Sequence, residues 1–423
     1  MDRQSLSPLQ QRSSSSSGGE LVTILDAESG IVPRRGEGRA IRRDVQLAEL
    51  LTALAPGAAV IELNFRKSLE ARAPASLKAL ASDLSSYADF CATCPGQGLP
   101  ADESRVVGYI EYCEDQKLKP ATIARRVSSL ASAHALLGAS SPCSAPVVRD
   151  ALRAMRRRSG TRQRQAGPLR LGAESRGAPA KGFTLTVLLE ACGGSPADLR
   201  NAALLSLGYD AGLRVSELTA VEVEHLELQE DGSAILEIPR SKTDQEGKGA
   251  FAWLSPDTVR RVTEWREIAA IRTGPLFRRV AVVRTKSRAA RPALRFADLA
   301  PNALVDAERM RAQPARQASA TYVIGDTALT AAAVRAIIKL VARRAADEGW
   351  VSLIGRDVDE AIARLSTHSL RVGLTQDLVA SGADAGSIAQ ALRWSSVATA
   401  LRYGGRLIPS QNAAARVLKG LRI

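Results

Sequence analysis

Residues 366–373 read STHSLRVG and residues 391–405 read ALRWSSVATALRYGG, with a helix-like stretch between them. His368 and Arg371 are three positions apart, so on a helix they share one face. Ser366 or Thr367 stands where a helix cap is expected, just before the apolar pattern begins. Trp394 and Tyr403 follow downstream. An imidazole, a guanidinium and a phenol suffice to attack a phosphodiester: the Arg holds phosphate oxygens, the His manages a proton and the Tyr is the nucleophile. Taken alone this grouping is suggestive, and the rest of the chain must decide it.

The 423 residues are enough for two domains with sizeable cores. Lys and Arg total 58 against 44 acidic residues, a net +14, which favours a polyanionic partner. The excess is placed rather than spread. Residues 156–181 hold seven Arg and one Lys against Glu174, a net +7, and residues 278–295 hold six Arg and one Lys with no acid. The first run, rich in Pro, Gly and polar residues, reads as a basic linker without a core. Its Arg156, Arg157, Arg158, Arg162 and Arg164 are the expected contacts to a DNA backbone. The second run fits a solvated loop equally well.

No apolar run of about 18 residues suggests a membrane span, and the N-terminus lacks the apolar core of a signal peptide. Five Cys do not make a disulfide scaffold, and a cytoplasmic setting fits. Cys91 and Cys94 form a lone CxxC, read here as two small residues at a helix end. His134 and His225 lie in apolar patterns and read as packing residues. No metal site and no cofactor are expected.

In chain order, residues 1–45 are rich in Ser, Gly and Arg and read as a disordered tail. Residues 46–155 carry apolar residues at helical spacing, and four or five helices account for them. After the linker at 156–182, a second domain spans 183–423. VEVEHLEL (221–228) and AILEIPR (234–240) alternate as half-buried strands do, and AFAWLS (250–255) is placed to pair with AILEIPR as a hairpin. Residues 280–320 have weak pattern and read as an insertion, and 329–350 as a strong amphipathic helix. At the end, Ala414, Val417, Leu418 and Leu421 make one stripe on a helix of about 410–421. The fold class is therefore mainly α, with one small antiparallel sheet in the second domain.

Three further residues complete the pattern: Arg214 and Glu217 in AGLRVSEL, and Lys242 in the turn PRSKTDQ. Singly, each residue is better read as packing or as a solvated charge. In order and spacing together, GLRVSEL, a hairpin Lys, THSLRVG, RW and RYGG resemble the tyrosine recombinase family, and its Cre-type branch in particular. The resemblance covers 183–423 well, and 75–160 by helical layout alone. It implies an N-terminal helical core-binding domain over 46–155 and a catalytic domain over 183–423. It implies a catalytic set of Arg214, Glu217, Lys242, His368, Arg371, Trp394 and Tyr403, with Tyr403 the nucleophile and Lys242 the acid for the leaving oxygen. The long N-terminal tail and the basic insertion before Leu329 depart from the family pattern.

The implied activity is site-specific DNA recombination or integration through a 3′-phosphotyrosyl intermediate, without cofactor or metal. The implied partner is double-stranded DNA, bound as a homotetramer by a protein that is monomeric when free, in the cytoplasm at the bacterial nucleoid. Two other readings stay open: a type IB topoisomerase-like enzyme, and a DNA-binding regulator that has lost turnover.

Overall fold

A computed structural model describes residues 37–57, 62–94, 96–161, 165–172, 178–239, 249–295, 311–404 and 417. The chain divides into two compact units, Met1–Gln163 and Arg164–Ile423. The first is all helical: α1 (Glu37–Leu54), α2 (Glu62–Glu70), α3 (Pro74–Thr93), α4 (Glu103–Asp115), α5 (Pro120–Leu136) and α6 (Pro146–Ser159). Pro opens α3, α5 and α6, where its missing N–H is no loss. Asp102 caps α4 by accepting the Arg105 N–H. Leu47, Leu51, Leu84, Tyr87 and Tyr109 are buried in its core, with Tyr87 and Tyr109 edge to face at 5.0 Å. His134 is a packing residue: its Nε2 accepts the Ala101 N–H at 3.0 Å, so Nδ1 carries the proton it donates to Leu130 O.

Three expectations for this unit change. The tail ends earlier than residue 45, because α1 already begins at Glu37; residues 1–36 lie outside the described residues. Six α-helices, rather than four or five, are present among the described residues. Arg156, Arg157 and Arg158 occupy the last turn of α6 instead of a linker, where cations suit the helix C-terminus.

The second unit begins with α7 (Leu185–Glu190), α8 (Pro196–Asp210) and α9 (Val215–Thr219). From Arg200 to Tyr209 every residue of α8 is buried, the polar Arg200, Asn201 and Ser206 included, which makes it the central helix of this unit. β1 (Leu226–Leu228), β2 (Ala234–Ile238) and β3 (Ala250–Leu254) form an antiparallel sheet in that order. Ile238 opposite Ala250 closes the expected β2–β3 hairpin. VEVEHLEL is a strand over its last three residues alone, since Val223–His225 is a 3-10 turn in which His225 Nδ1 accepts the Glu222 N–H.

α10 (Pro256–Ile268) follows, with Trp265 fully buried and donating to Leu276 O at 2.9 Å. The weakly patterned region is a second sheet, not a plain insertion. β4 (Arg278–Thr285) pairs antiparallel with β5 (Ser319–Ala328), and bridges at Arg288–Arg316 and Arg291–Gln313 prolong the ladder. Both faces of this ribbon are largely open, so it lacks the clean alternation of a half-buried strand. α11 (Ala331–Asp347) buries the stripe Val334, Ile337, Ile338, Val341 and Ala345. Then come α12 (Arg356–Arg364), α13 (Ser369–Ala380), α14 (Ala385–Ala391) and α15 (Val397–Gly404).

The segment expected to lack a core is strapped across this unit. Leu169 is fully buried in the main apolar cluster. Its N–H donates to Ser369 O at 3.0 Å, and the Gly167 N–H donates to Arg364 O at 2.8 Å. Gly373 makes room: a Cβ there would stand 1.8 Å from Leu169 O. Asp377 fixes the far end, accepting from Arg170 Nε, Leu171 N and Tyr209 Oη at 2.6 to 2.7 Å. Composition hid this, because two Leu among polar residues, with Leu169 buried and Leu171 exposed, give no periodic signal.

Candidate active site

Arg214 is set by the turn that ends α8. Gly212 sits just past the helix with φ +53, and a Cβ there would run into the Leu392 side chain. Two residues on, Arg214 is the N-cap of α9, and Glu217 is its N3 residue. The Glu217 carboxylate accepts the Arg214 backbone N–H at 2.9 Å and its Nη1 at 2.8 Å. The Glu217 side chain is 1% exposed, so one buried carboxylate locks both the backbone and the guanidinium of Arg214.

Arg371 lies on α13 and is 1% exposed. Its Nη1 donates to Gly212 O and its Nη2 to Leu392 O, which fastens α13 to the α8–α9 turn and to the end of α14. Its Nε has no acceptor among the described residues. Burial first, then the nearby Arg214 and Arg393, bring its pKa down to about 10. It remains cationic at neutral pH. Arg393, the Arg of the RW element, is a member of the site that the implied catalytic set leaves out. It takes φ +54, donates from Nη2 to Ala211 O at 2.9 Å and lies 3.6 Å from Glu217 Oε2. Its adjacency to Trp394 is the available signal, but nothing local marks Arg393 as a partner of Ala211 and Glu217. Arg214 and Arg393 thus share the Glu217 carboxylate with Arg371 close by, three cations to one anion, a balance suited to an oxyanion.

His368 is itself the N-cap of α13, which corrects the assignment of Ser366 or Thr367 to that role. Ser366 instead braces the preceding turn: its Oγ accepts the His368 N–H at 3.1 Å, and its N–H donates to Ser369 Oγ at 2.9 Å. His368 and Arg371 still share a face. The His368 Nε2 is 2.8 Å from Tyr403 Oη. Burial, then Arg371 and Arg214, lower the His368 pKa below its ordinary value, so the ring is neutral at pH 7 and free to accept a proton.

Tyr403 comes from α15, held by the small cluster of Val379, Ile388, Leu392 and Ala400. The Trp394 ring stacks on it at 5.2 Å and 13°, and the Arg371 guanidinium lies 5.2 Å from the Trp394 ring. The structure therefore brings Arg214, Glu217, His368, Arg371, Trp394 and Tyr403 together. Lys242, Arg162, Arg164 and all of the expected C-terminal helix except Val417 lie outside the described residues. Arg156 and Arg157 are exposed, whereas Arg158 is paired with Glu114 at 2.6 Å. Cys91 is in the last turn of α3 and Cys94 is its C-cap. Among the described residues no helix is long and apolar enough to cross a membrane.

Residues 182–405, more than half of the chain, match the model of the phage integrase family, and the chain belongs to that family. Its activity class is that of a site-specific tyrosine recombinase. An integrase/recombinase xerD homolog of Selenomonas ruminantium is 32% identical over 242 residues, which span 53% of this chain and 67% of that protein. The Cre recombinase of Escherichia phage P1 is 24% identical over 348 residues, or 81% of this chain and 87% of that one. A similarity shared between proteins of these two names broadens the Cre-type assignment to the family as a whole. Among solved structures, a XerH site-specific recombinase bound to palindromic difH substrate is 14% identical with a TM-score of 0.47, covering 88% of this chain and 95% of that one. A lambda integrase tetramer bound to a Holliday junction is 15% identical with a TM-score of 0.45, covering 89% and 88%.

Proposed function

We propose that the chain cuts and rejoins double-stranded DNA through a 3′-phosphotyrosyl bond at Tyr403. The observation that supports this most directly is the 2.8 Å contact between His368 Nε2 and Tyr403 Oη beside a buried Arg371. A phenol has a pKa of about 10, so it needs a base to attack at neutral pH. Neutral His368 takes the phenolic proton as Tyr403 Oη bonds to phosphorus. The bond from phosphorus to the 5′ oxygen breaks, and that oxygen takes a proton from Lys242. Charge growing on the non-bridging oxygens is met by the cations Arg214 and Arg371, the latter keeping its Nε–H and one N–H on each Nη beyond its bonds to Gly212 O and Leu392 O. Trp394 donates its indole N–H to a phosphate oxygen and holds the Tyr403 ring by stacking. Glu217 positions Arg214 and Arg393. A 5′ hydroxyl from a second strand then attacks the phosphotyrosyl ester and releases Tyr403. The tyrosyl ester conserves the phosphodiester bond, so no nucleotide is consumed.

The working form on DNA is a homotetramer and the free form a monomer, with the helix of about 410–421 docking into a neighbouring copy. Arg156, Arg157, Arg162 and Arg164 contact the DNA backbone. The protein acts in the cytoplasm, at the nucleoid of a bacterial host. The test is Tyr403→Phe on a pool of nicked duplexes taken from DNA flanking its own gene. DNA binding should persist and the covalent adduct should vanish from a denaturing gel. An undiminished adduct in this variant would remove Tyr403 as the nucleophile.

A further inference from the structure

The β4–β5 ribbon is not used by the chemistry above, yet it carries the densest basic run of the catalytic unit. Phe277 and Leu329 are buried at its base, where the Leu329 N–H donates to Phe277 O at 2.9 Å. Arg200 adds a hydrogen bond to Arg278 O. Beyond that base the ribbon leaves the core: Val282, Val283 and Val323 are 40%, 56% and 53% exposed. From Arg278 to the Arg291–Gln313 bridge the ladder is about 40 Å long at roughly 3.3 Å per residue. That is more than one turn of duplex DNA, at about 34 Å. A two-stranded ribbon with both faces in water is marginal on its own, so a partner surface is expected.

Charge selects the partner. Residues 278–295 and 311–328 hold nine basic residues and one acid, Asp326. Elsewhere in this unit some surface Arg residues are neutralised, Arg260 by Asp257 and Glu264, Arg343 by Asp359 and Arg344 by Asp198, and the exposed Arg272, Arg335, Arg356 and Arg402 that carry no ion pair among the described residues are scattered singly along the chain. On the ribbon, Arg284, Lys286, Arg288 and Arg316 have no carboxylate partner among the described residues. Residues 296–310 have the opposite charge balance, with Asp298, Asp306 and Glu308 against Arg309, so the excess of positive charge belongs to the strand residues.

We infer that the β4–β5 ribbon is a second DNA-binding element, a basic arm that lies along the phosphate backbone of duplex outside the cleavage site. This rests on the recombinase reading for the identity of its polyanion. Its contribution is electrostatic: each phosphate it neutralises releases condensed counterions, so the arm raises affinity at low salt for any sequence. A two-stranded ribbon also fits the width of the major groove.

The experiment uses the full chain and a random-sequence 40-base-pair duplex, with affinity followed by fluorescence anisotropy over a series of salt concentrations. Replacing Arg284, Lys286, Arg288 and Arg316 together by Gln should flatten the log K against log salt slope by about 0.9 for each phosphate left un-neutralised, up to about 3.6 for all four. Replacing the three Arg by Lys keeps the charge and should keep the slope, which separates charge from misfolding. An unchanged slope in the Gln variant overturns the inference. So does loss of self-association on DNA with the slope intact, since the ribbon would then dock on another copy of the chain. Adduct formation at Tyr403 is scored separately on the parent protein. Failure there with a ribbon-dependent slope counts against the proposed chemistry and leaves the arm standing.

Discussion

Gly373→Ala should destabilise the second unit, although helix propensity favours the change. Gly373 lies inside α13, where replacing Gly by Ala ordinarily gains about 1 kcal/mol. Here the new Cβ would stand 1.8 Å from Leu169 O, 2.3 Å from Leu169 C and 2.8 Å from Arg170 N. All three are backbone atoms, so the strap must lift away. Lifting exposes Leu169, worth about 1.5–3 kcal/mol of burial. It also breaks the bonds from Leu169 N to Ser369 O and from Gly167 N to Arg364 O, each worth about 1 kcal/mol net. Against the propensity gain, the balance is a loss of about 3 kcal/mol. Set against the roughly 5–15 kcal/mol typical of folded proteins, that is a large share. Urea titration followed by circular dichroism should show the midpoint falling with little change in slope. Gly182→Ala is the control, because nothing lies within 4 Å of its Cβ position. A Gly373→Ala protein as stable as its parent would refute the packing of the strap on α13. Because α13 carries His368 and Arg371, adduct formation should fall in the same variant.

The remaining predictions concern the site itself. Since the His368 pKa is lowered, the acid limb of adduct formation against pH should have its midpoint below the free imidazole value of about 6.5; a midpoint above that value would contradict a buried neutral base. The same shift acts on folding: the unfolded chain binds this proton more readily, so His368 reduces stability as pH falls below about 6.5, and His368→Asn should flatten that dependence in urea titrations at stepped pH. Glu217→Ala leaves Arg214 and Arg393 without their shared carboxylate and should cost about 3 kcal/mol of stability together with most of the cleavage rate; a loss of rate alone would reassign Glu217 to the chemistry. Lys242→Ala should slow cleavage of ordinary DNA strongly and cleavage of a 5′-thio substrate much less, since a thiolate leaves without a proton; equal defects on both would remove Lys242 from the acid role.

The sequence by itself determined the mainly helical class, through local signals such as the 3.6-residue apolar spacing in α5 and α11 and Gly212 ending α8. Through its resemblance to the tyrosine recombinase family it also named the residues proposed for the chemistry, among them His368, Arg371, Trp394 and Tyr403. The tertiary structure decided what depends on distant partners. Leu169 is a core residue because Gly373, about two hundred residues later, leaves it a seat. Arg393 joins the site because the end of α14 meets the α8–α9 turn, where Ala211 O and Glu217 receive it. The β4–β5 ribbon was illegible because both its faces meet solvent, and without a buried face no alternation is imposed on the strands. Periodicity records burial on one face of one element; a carbonyl or carboxylate supplied by another element leaves no trace in the local pattern.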